Sequence, residues 1–315
     1  MQCIRRRRYE RSARDESDDE RNALHGGNTF ADPCRVRLRR AVGCASSGMH
    51  PDRACARSRS LRRLSRGVAY SRPVKRKDYF GDEVAAVYDG GPMFSPEVLD
   101  PTVDFLAALA GDGAALEFGV GTGRVAVPLS QRGVSVHGIE LSEAMAAKLR
   151  EKPGAEQIRT TIGDFATMRV NEAFSLVYLV FNTIGNLTTQ DDQVACFQNA
   201  ADHLEPGGYF VIEVGIPQLR RLPPGETVRP FDVSDNHLGF DEYDVANQGL
   251  ISHHFSAEDG AWRRSSIPFR YVWPAELDLM ARLAGMRLRE RWNDWDRSPF
   301  SSESRKHVSV WERAA

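Results

Sequence analysis

The stretch Leu116-Glu117-Phe118-Gly119-Val120-Gly121-Thr122-Gly123 constrains this chain more than any other. It reads as the end of a buried strand, then three glycines at alternate positions, then a helix. Glycine at that spacing permits a tight turn and lets a ligand approach where a Cβ would collide. The helix that follows presents unpaired N–H groups, a favourable place for polar or anionic ligand atoms.

The rest of the chain predicts the sheet to which this turn belongs. Apolar Leu99, Val103 and Leu106 fall at helical spacing, which predicts a helix over Pro96–Ala110 that Pro101 is expected to break or restart. A short helix is expected before it, at 83–88. Strand 114–118 is followed by helix 124–131 and a second strand, 134–140. Ser142 then caps a helix to about Arg150, with Glu143 in its first turn. Residues 158–162 form a short strand, and 174–181 (FSLVYLVF) are near-continuously apolar, as a central parallel strand should be. Helix 191–203 and strand 209–214 follow. Strand and helix alternate throughout, which predicts an α/β fold with a doubly wound, seven-stranded, mostly parallel sheet binding its ligand at the strands' carboxyl ends.

After Val214 the period changes. Residues 215–273 hold short β-rich runs with turn signals at Asn247-Gln248-Gly249 and Glu258-Asp259-Gly260. They predict an inserted antiparallel β lid on the substrate side. A helix over 274–284 should stop at Gly285, and strands 287–292 and 308–312 close the chain.

Charge divides the molecule. The net charge of −1 over 315 residues conceals 21 Lys+Arg against 8 Asp+Glu in residues 1–77, which leaves 21 basic and 35 acidic residues in the remainder. Residues 1–77 are Arg-rich, aromatic-poor and aperiodic, and are expected to be a disordered basic extension. A non-functional extension, a charged nucleic-acid arm and a targeting peptide are the three readings of it. The acidic run Asp15-Glu16-Ser17-Asp18-Asp19-Glu20 argues against the last. An acidic body argues against a phosphate-rich macromolecular partner. Four of five cysteines lie in the basic segment and none forms a C-x-x-C pair, so neither a metal site nor a disulfide framework is expected. No apolar run reaches the ~20 residues needed to span a bilayer. A cytoplasmic protein is expected, with a homodimer left open.

Two glycine-loop families compete. A dinucleotide loop, G-x-G-x-x-G, would place its third glycine at position 124, which is Arg124. Here the third glycine is Gly123, and Glu117 precedes the first by two residues. This form resembles motif I of the class I S-adenosylmethionine (SAM) dependent methyltransferases, and the elements that follow are similar over about 78–315, the domain the resemblance implies. Glu140 ends the second strand, 21 residues after Gly119. A carboxylate there accepts from both hydroxyls of a ribose, although the same geometry would serve NAD.

The resemblance implies further roles. Glu117 and the N–H groups of Gly119, Gly121 and Gly123 would receive the methionyl amino and carboxylate groups. Leu141 and Met145 would pack on the nucleoside. Asp164 would accept from the adenine amino group, with Phe165 flanking the ring. Asn182, at the end of the fourth strand, would hold the methionyl group or the substrate. Tyr88 would bond the cofactor carboxylate. No residue declares itself as a catalytic base. Candidates in the lid are Asp241, Glu242, Tyr243, His253, His254 and Tyr271, and the two histidines should point to opposite faces of a strand.

The place after the fourth strand reads Phe181-Asn182-Thr183-Ile184, unlike the D/N-P-P-Y element of amino-methylating DNA enzymes. The resemblance therefore implies methyl transfer from SAM to a small-molecule acceptor, with the acceptor atom open between N, O and C. A non-catalytic SAM-binding module and an NAD-dependent oxidoreductase are the alternatives.

Overall fold

The computed structural model describes residues 76–90, 94–258 and 260–314. The expectation of a disordered extension over 1–77 therefore lies outside the described residues, except for Arg76 and Lys77, which pack against the folded body.

Eleven strands and six helices are formed among the described residues. Helix α1 spans Asp82–Val87 and α2 spans Pro96–Ala110. The expected break at Pro101 does not occur. Pro101 forfeits one helix hydrogen bond, to the Glu97 carbonyl, but Val103, Phe105 and Leu106 are buried on the sheet side and hold the helix in place. Then come β1 (Ala115–Phe118), α3 (Ala126–Gln131), β2 (Val136–Glu140), α4 (Glu143–Arg150), β3 (Arg159–Ile162), β4 (Phe174–Leu179), α5 (Gln190–His203) and β5 (Leu204–Gly215). Ser142 caps α4 as expected, its hydroxyl accepting from the Met145 N–H at 3.3 Å. Strand β5 begins five residues earlier than its apolar pattern suggests. Leu204 pairs with Phe174, then the register shifts so that Tyr209 pairs with Leu176, and Gly207 takes φ +82° in the bulge between them.

A four-stranded antiparallel meander follows: β6 (Val228–Val233), β7 (His237–Asp244), β8 (Gly249–Glu258) and β9 (Ala261–Arg270). In the turn between β7 and β8 the left-handed residue is Gln248, at φ +55°, and Gly249 is already the first residue of β8. Helix α6 (Pro274–Leu283) and the hairpin β10 (Met286–Trp292) and β11 (Lys306–Arg313) complete the chain.

The main sheet has the order β10-β11-β5-β4-β1-β2-β3. β3, β2, β1, β4 and β5 are parallel, and β11 and β10 are antiparallel additions. The chain reverses direction across the sheet between β1 and β4, and in such sheets the crevice at that switch point takes the ligand. Strand alternation feeds two cores. Phe118, Leu179, Phe210 and Trp311 face α5 and α6, while Ala115, Leu176 and Val211 face α2 and α3.

The second sheet is rooted on the first by one buried cation. Arg270, 5% exposed at the end of β9, donates to Gln193 on α5 at 2.5 Å, to Gln248 at 3.2 Å and to Glu276 on α6 at 2.7 Å. Gln193 in turn donates to the carbonyls of Ile184 and Arg270, both at 3.2 Å. Removing one partner of such a buried pair leaves the others desolvated and unmet, at a cost of about 3–5 kcal/mol. Arg270→Ala should therefore lower the stability measured by urea unfolding by that amount. Arg287→Ala, on an exposed ion pair, should change it by less than about 1 kcal/mol.

Candidate functional site

The cavity at the β1/β4 switch point is built by the glycine turn, the ends of β2 and β3, and the segment preceding α1. It is a partly open hollow of about 710 Å³, counted out to the solvent at its mouth. Gly119, Gly121, Glu140, Leu141, Met145, Asp164, Phe165 and Tyr88 all line it.

The glycines take left-handed φ of +69°, +56° and +78°. At Gly123 the need is packing, since a Cβ would lie 2.2 Å from Leu149 Cδ1. At Gly121 the nearest side-chain atom to such a Cβ is Met145 Cε at 3.5 Å, so the glycine leaves the cavity side open. Glu140, 7% exposed, accepts from the Gly121 N–H at 2.7 Å through Oε2 and from the Ser142 N–H at 2.8 Å through Oε1. Each oxygen keeps a lone pair for a further donor. Burial raises the carboxyl's pKa, and the backbone donors oppose that rise. Asp164 accepts from the Ala166 N–H at 2.9 Å and from Arg76 Nε at 2.8 Å, and Arg76 also reaches Asp192 on α5. Phe165 stacks on Phe118 at 5.7 Å between centroids. Tyr88 lies between the edges of Phe80 and Phe94, its pKa raised chiefly by burial.

Three expected residues stand apart from the cavity wall. Glu117, 3% exposed, turns away from the cavity beneath the glycine loop and accepts from the Tyr178 hydroxyl at 2.8 Å. Burial pushes its pKa up to about 8, opposed by Tyr178 and Arg124. Gly123 packs on α4. Asn182, at φ +61°, braces the chain by accepting from the Gly215 N–H at 2.6 Å. Conversely, Arg76, Lys77, Asp78, Tyr79 and Phe80 line the cavity, as do Thr183, Asn186 and Pro268. Phe80 O accepts from Ser142 Oγ at 2.7 Å, which ties this leading segment to the start of α4. Its aromatic pair, directly after the basic run, was the one sequence signal for it.

Among the described residues no group of three or more His, Cys, Asp or Glu is placed to hold a metal. His253 and His254 do face opposite sides of β8. His253 meets Glu242 at 3.1 Å and Ser266 at 2.8 Å, whereas His254 meets His237 at 3.1 Å. Burial raises the pKa of Asp241 and of Tyr271, and Tyr243 packs 5.9 Å from Tyr271.

Comparison with known proteins agrees with this geometry. Residues 115–208 match the methyltransferase domain family. The fold is similar to the CcbJ methyltransferase from Streptomyces caelestis, with 39% identity, a TM-score of 0.69, and coverage of 77% of this chain and 100% of that one. The chain belongs to the class I SAM-dependent methyltransferases. It is also 25% identical over 203 residues to a cypemycin N-terminal methyltransferase from Streptomyces, covering 63% of this chain and 82% of that protein. A dTDP-3-amino-3,4,6-trideoxy-alpha-D-glucopyranose N,N-dimethyltransferase from Streptomyces venezuelae is 32% identical over 98 residues, 31% of this chain and 40% of that protein.

Two results are expected. Glu140→Ala removes the acceptor of two backbone N–H groups and of any ribose hydroxyls. It should weaken SAM binding by about 1–3 kcal/mol, roughly 5- to 150-fold, in calorimetry. Glu117 is ionised in the unfolded chain above pH ~4.5 but neutral in the fold up to about 8. Its raised folded pKa means that its stability contribution is full below pH ~4.5 and is lost as pH rises to about 8. Glu117→Gln should gain on wild type by on the order of 1 kcal/mol per pH unit across that window and level off above it, in unfolding of the cofactor-free protein.

Proposed function

We propose that this methyltransferase methylates a nitrogen atom of a small-molecule amine. The observation that carries the reading is a second cleft at the carboxyl ends of β4 and β5. Its charged lining includes Glu97, Glu213, Asp294 and Asp296 against Arg124 and Lys306, and Phe181 and Trp295 supply aromatic walls. Arg124 lies over the Phe181 ring at 4.3 Å, between this cleft and the cofactor cavity. An excess of carboxylates beside aromatic faces suits an aliphatic ammonium group. Both curated relatives named above are named for nitrogen acceptors, which supports the same choice of atom.

When bound, SAM supplies a sulfonium methyl that is already electrophilic. The protein's share is binding, alignment and exclusion of water. In this reading Glu140 takes the ribose hydroxyls and Asp164 the adenine amino group, which shares that carboxylate with Arg76 or displaces it. Gly119 and Gly121 let the methionyl end approach the loop backbone. Leu141, Met145 and Phe165 form the apolar walls, and Tyr88 closes the cavity from α1. The β6–β9 insertion reaches the cofactor cavity through Pro268, and its Phe269 lies 3.6 Å from the position a Gly185 Cβ would take. An amine nucleophile must be neutral to attack, and the cleft carboxylates can receive the proton it sheds, so no single dedicated base is required.

Release of S-adenosylhomocysteine should be detected over a panel of small primary and secondary amines and not over phenols or carboxylic acids of similar size. Turnover confined to phenols would overturn the choice of nitrogen. Gly121→Val, which places a branched side chain in the cofactor cavity, should abolish both SAM binding and turnover.

A further inference from the structure

A third opening lies at the same carboxyl edge of the sheet. It is walled by the connector after β5, with Ile216, Pro217, Arg220 and Arg221, and by the β10–β11 hairpin, with Glu303 and Arg305. It encloses about 600 Å³. Arg220 joins the two walls, donating to Ser302 O at 2.5 Å and lying 3.7 Å from Glu303. Arg221 and Arg305 form no ion pair among the described residues. Three guanidinium groups therefore face one carboxylate, within a body that holds 35 acidic and 21 basic residues beyond position 77. Carboxylate partners are in surplus across this surface, yet two arginines remain unpaired in one concavity. Guanidinium groups match the planar, multi-oxygen geometry of phosphate and carboxylate and desolvate more readily than ammonium.

The position ties this opening to methyl transfer. Arg305 immediately precedes Lys306, the first residue of β11, so the two clefts meet where the hairpin enters the sheet. Lys306 reaches Glu213 at 3.2 Å and Asp294 at 2.8 Å in the acidic cleft, while Arg305 lines the basic opening. Gly215 sits between the two, pairing with Lys306 and donating to Asn182. A Cβ there would lie 3.2 Å from Asn182 Oδ1 and 3.8 Å from Arg305 O, so a side chain would crowd the junction. The Gln218 backbone bonds the buried Tyr243 hydroxyl, which joins the connector to the β6–β9 sheet.

We propose that this opening is an anion subsite for the acceptor: the acceptor is a small amine that also carries a phosphate group, and Arg221 and Arg305 hold that phosphate while the amine reaches the acidic cleft. This rests on the reading of the enzyme as a small-molecule amine methyltransferase. Two sources share the chemistry, a sugar phosphate and a sugar linked to a nucleoside diphosphate.

The full chain, saturated with S-adenosylhomocysteine to fill the cofactor cavity, is titrated with dTDP, inorganic pyrophosphate and thymidine in a calorimeter. Expected is binding of dTDP and pyrophosphate but not thymidine, weakened at least tenfold in the double variant Arg221→Ser, Arg305→Ser. Glu303→Gln, which removes the competing carboxylate, should tighten it several-fold. dTDP binding tenfold tighter than pyrophosphate assigns the nucleoside-linked source, and equal affinities assign the simple phosphate. No binding of either anion overturns the proposal, as does binding that the double variant leaves unchanged. Unaltered S-adenosylhomocysteine affinity in the variants shows that they fold. Turnover of uncharged amines, scored separately, tests the amine reading, so the two can fail independently.

Discussion

The Glu140 carboxylate is the joint on which the cofactor cavity depends. One oxygen holds the Gly121 N–H of the turn after β1, and the other holds the Ser142 N–H at the start of α4. Both bonds are made by a nearly buried charge, so neither competes with water on equal terms. They fix the glycine turn relative to the end of β2, and they leave outward lone pairs aimed at the cavity. The same group thus shapes the cavity and lines it. Gly121 must remain open above it, and Ser142 must cap α4 while donating its hydroxyl to Phe80 O, which carries the leading segment across the cavity.

The opposite end depends on a different economy of partners. Arg270, Gln193, Gln248 and Glu276 satisfy one another in a buried knot where β9, α5 and α6 meet. Gln193 also holds the Ile184 carbonyl, and Thr183 and Asn186 of the same 3-10 turn line the cofactor cavity with Pro268 of β9. The inserted sheet and the loop at the end of β4 are therefore positioned by one set of hydrogen bonds. Phe181 and Asn182 sit just before that turn at φ of +58° and +61°. Left-handed backbone at two successive non-glycine residues is held by Glu213, which accepts from the Phe181 N–H at 3.0 Å, and by the Asn182–Gly215 bond.

The parts legible in the sequence are those governed by local period and backbone geometry. Short apolar runs located the strands of the parallel sheet, all but the early start of β5, and the three glycines located the turn, because both effects act over a few residues. Glu140, Asp164 and Phe165 were readable because they occupy strand ends, whose place in a doubly wound sheet is determined by topology. Glu117 lies apart from the cavity wall for a reason the sequence does not display. Strand alternation turns its side chain beneath the loop toward Tyr178, a residue 61 positions away that no local pattern links to it. The leading segment from Arg76 to Phe80 was likewise hidden. Its composition continues the basic run, and only long-range contacts with Asp164 and Ser142 draw it over the cavity.

Charge was readable in total but not in arrangement. A summed excess of acid says nothing about where that excess is interrupted. The sheet edge interrupts it twice within a few residues. Glu213 and Lys306 line the acidic cleft, and Arg305, one residue before β11, lines the neighbouring opening. Arg305 closes the loop and Lys306 opens β11, so two neighbouring cations of similar charge enter different surroundings. Lys306 is neutralised by Glu213 and Asp294, whereas Arg305 remains free to bind. The cavity beneath the glycine turn and the charged clefts beside it are thus built separately in this fold. The first is set by a carboxylate common to loop and helix, and the second by the charges gathered where β5 and β11 meet.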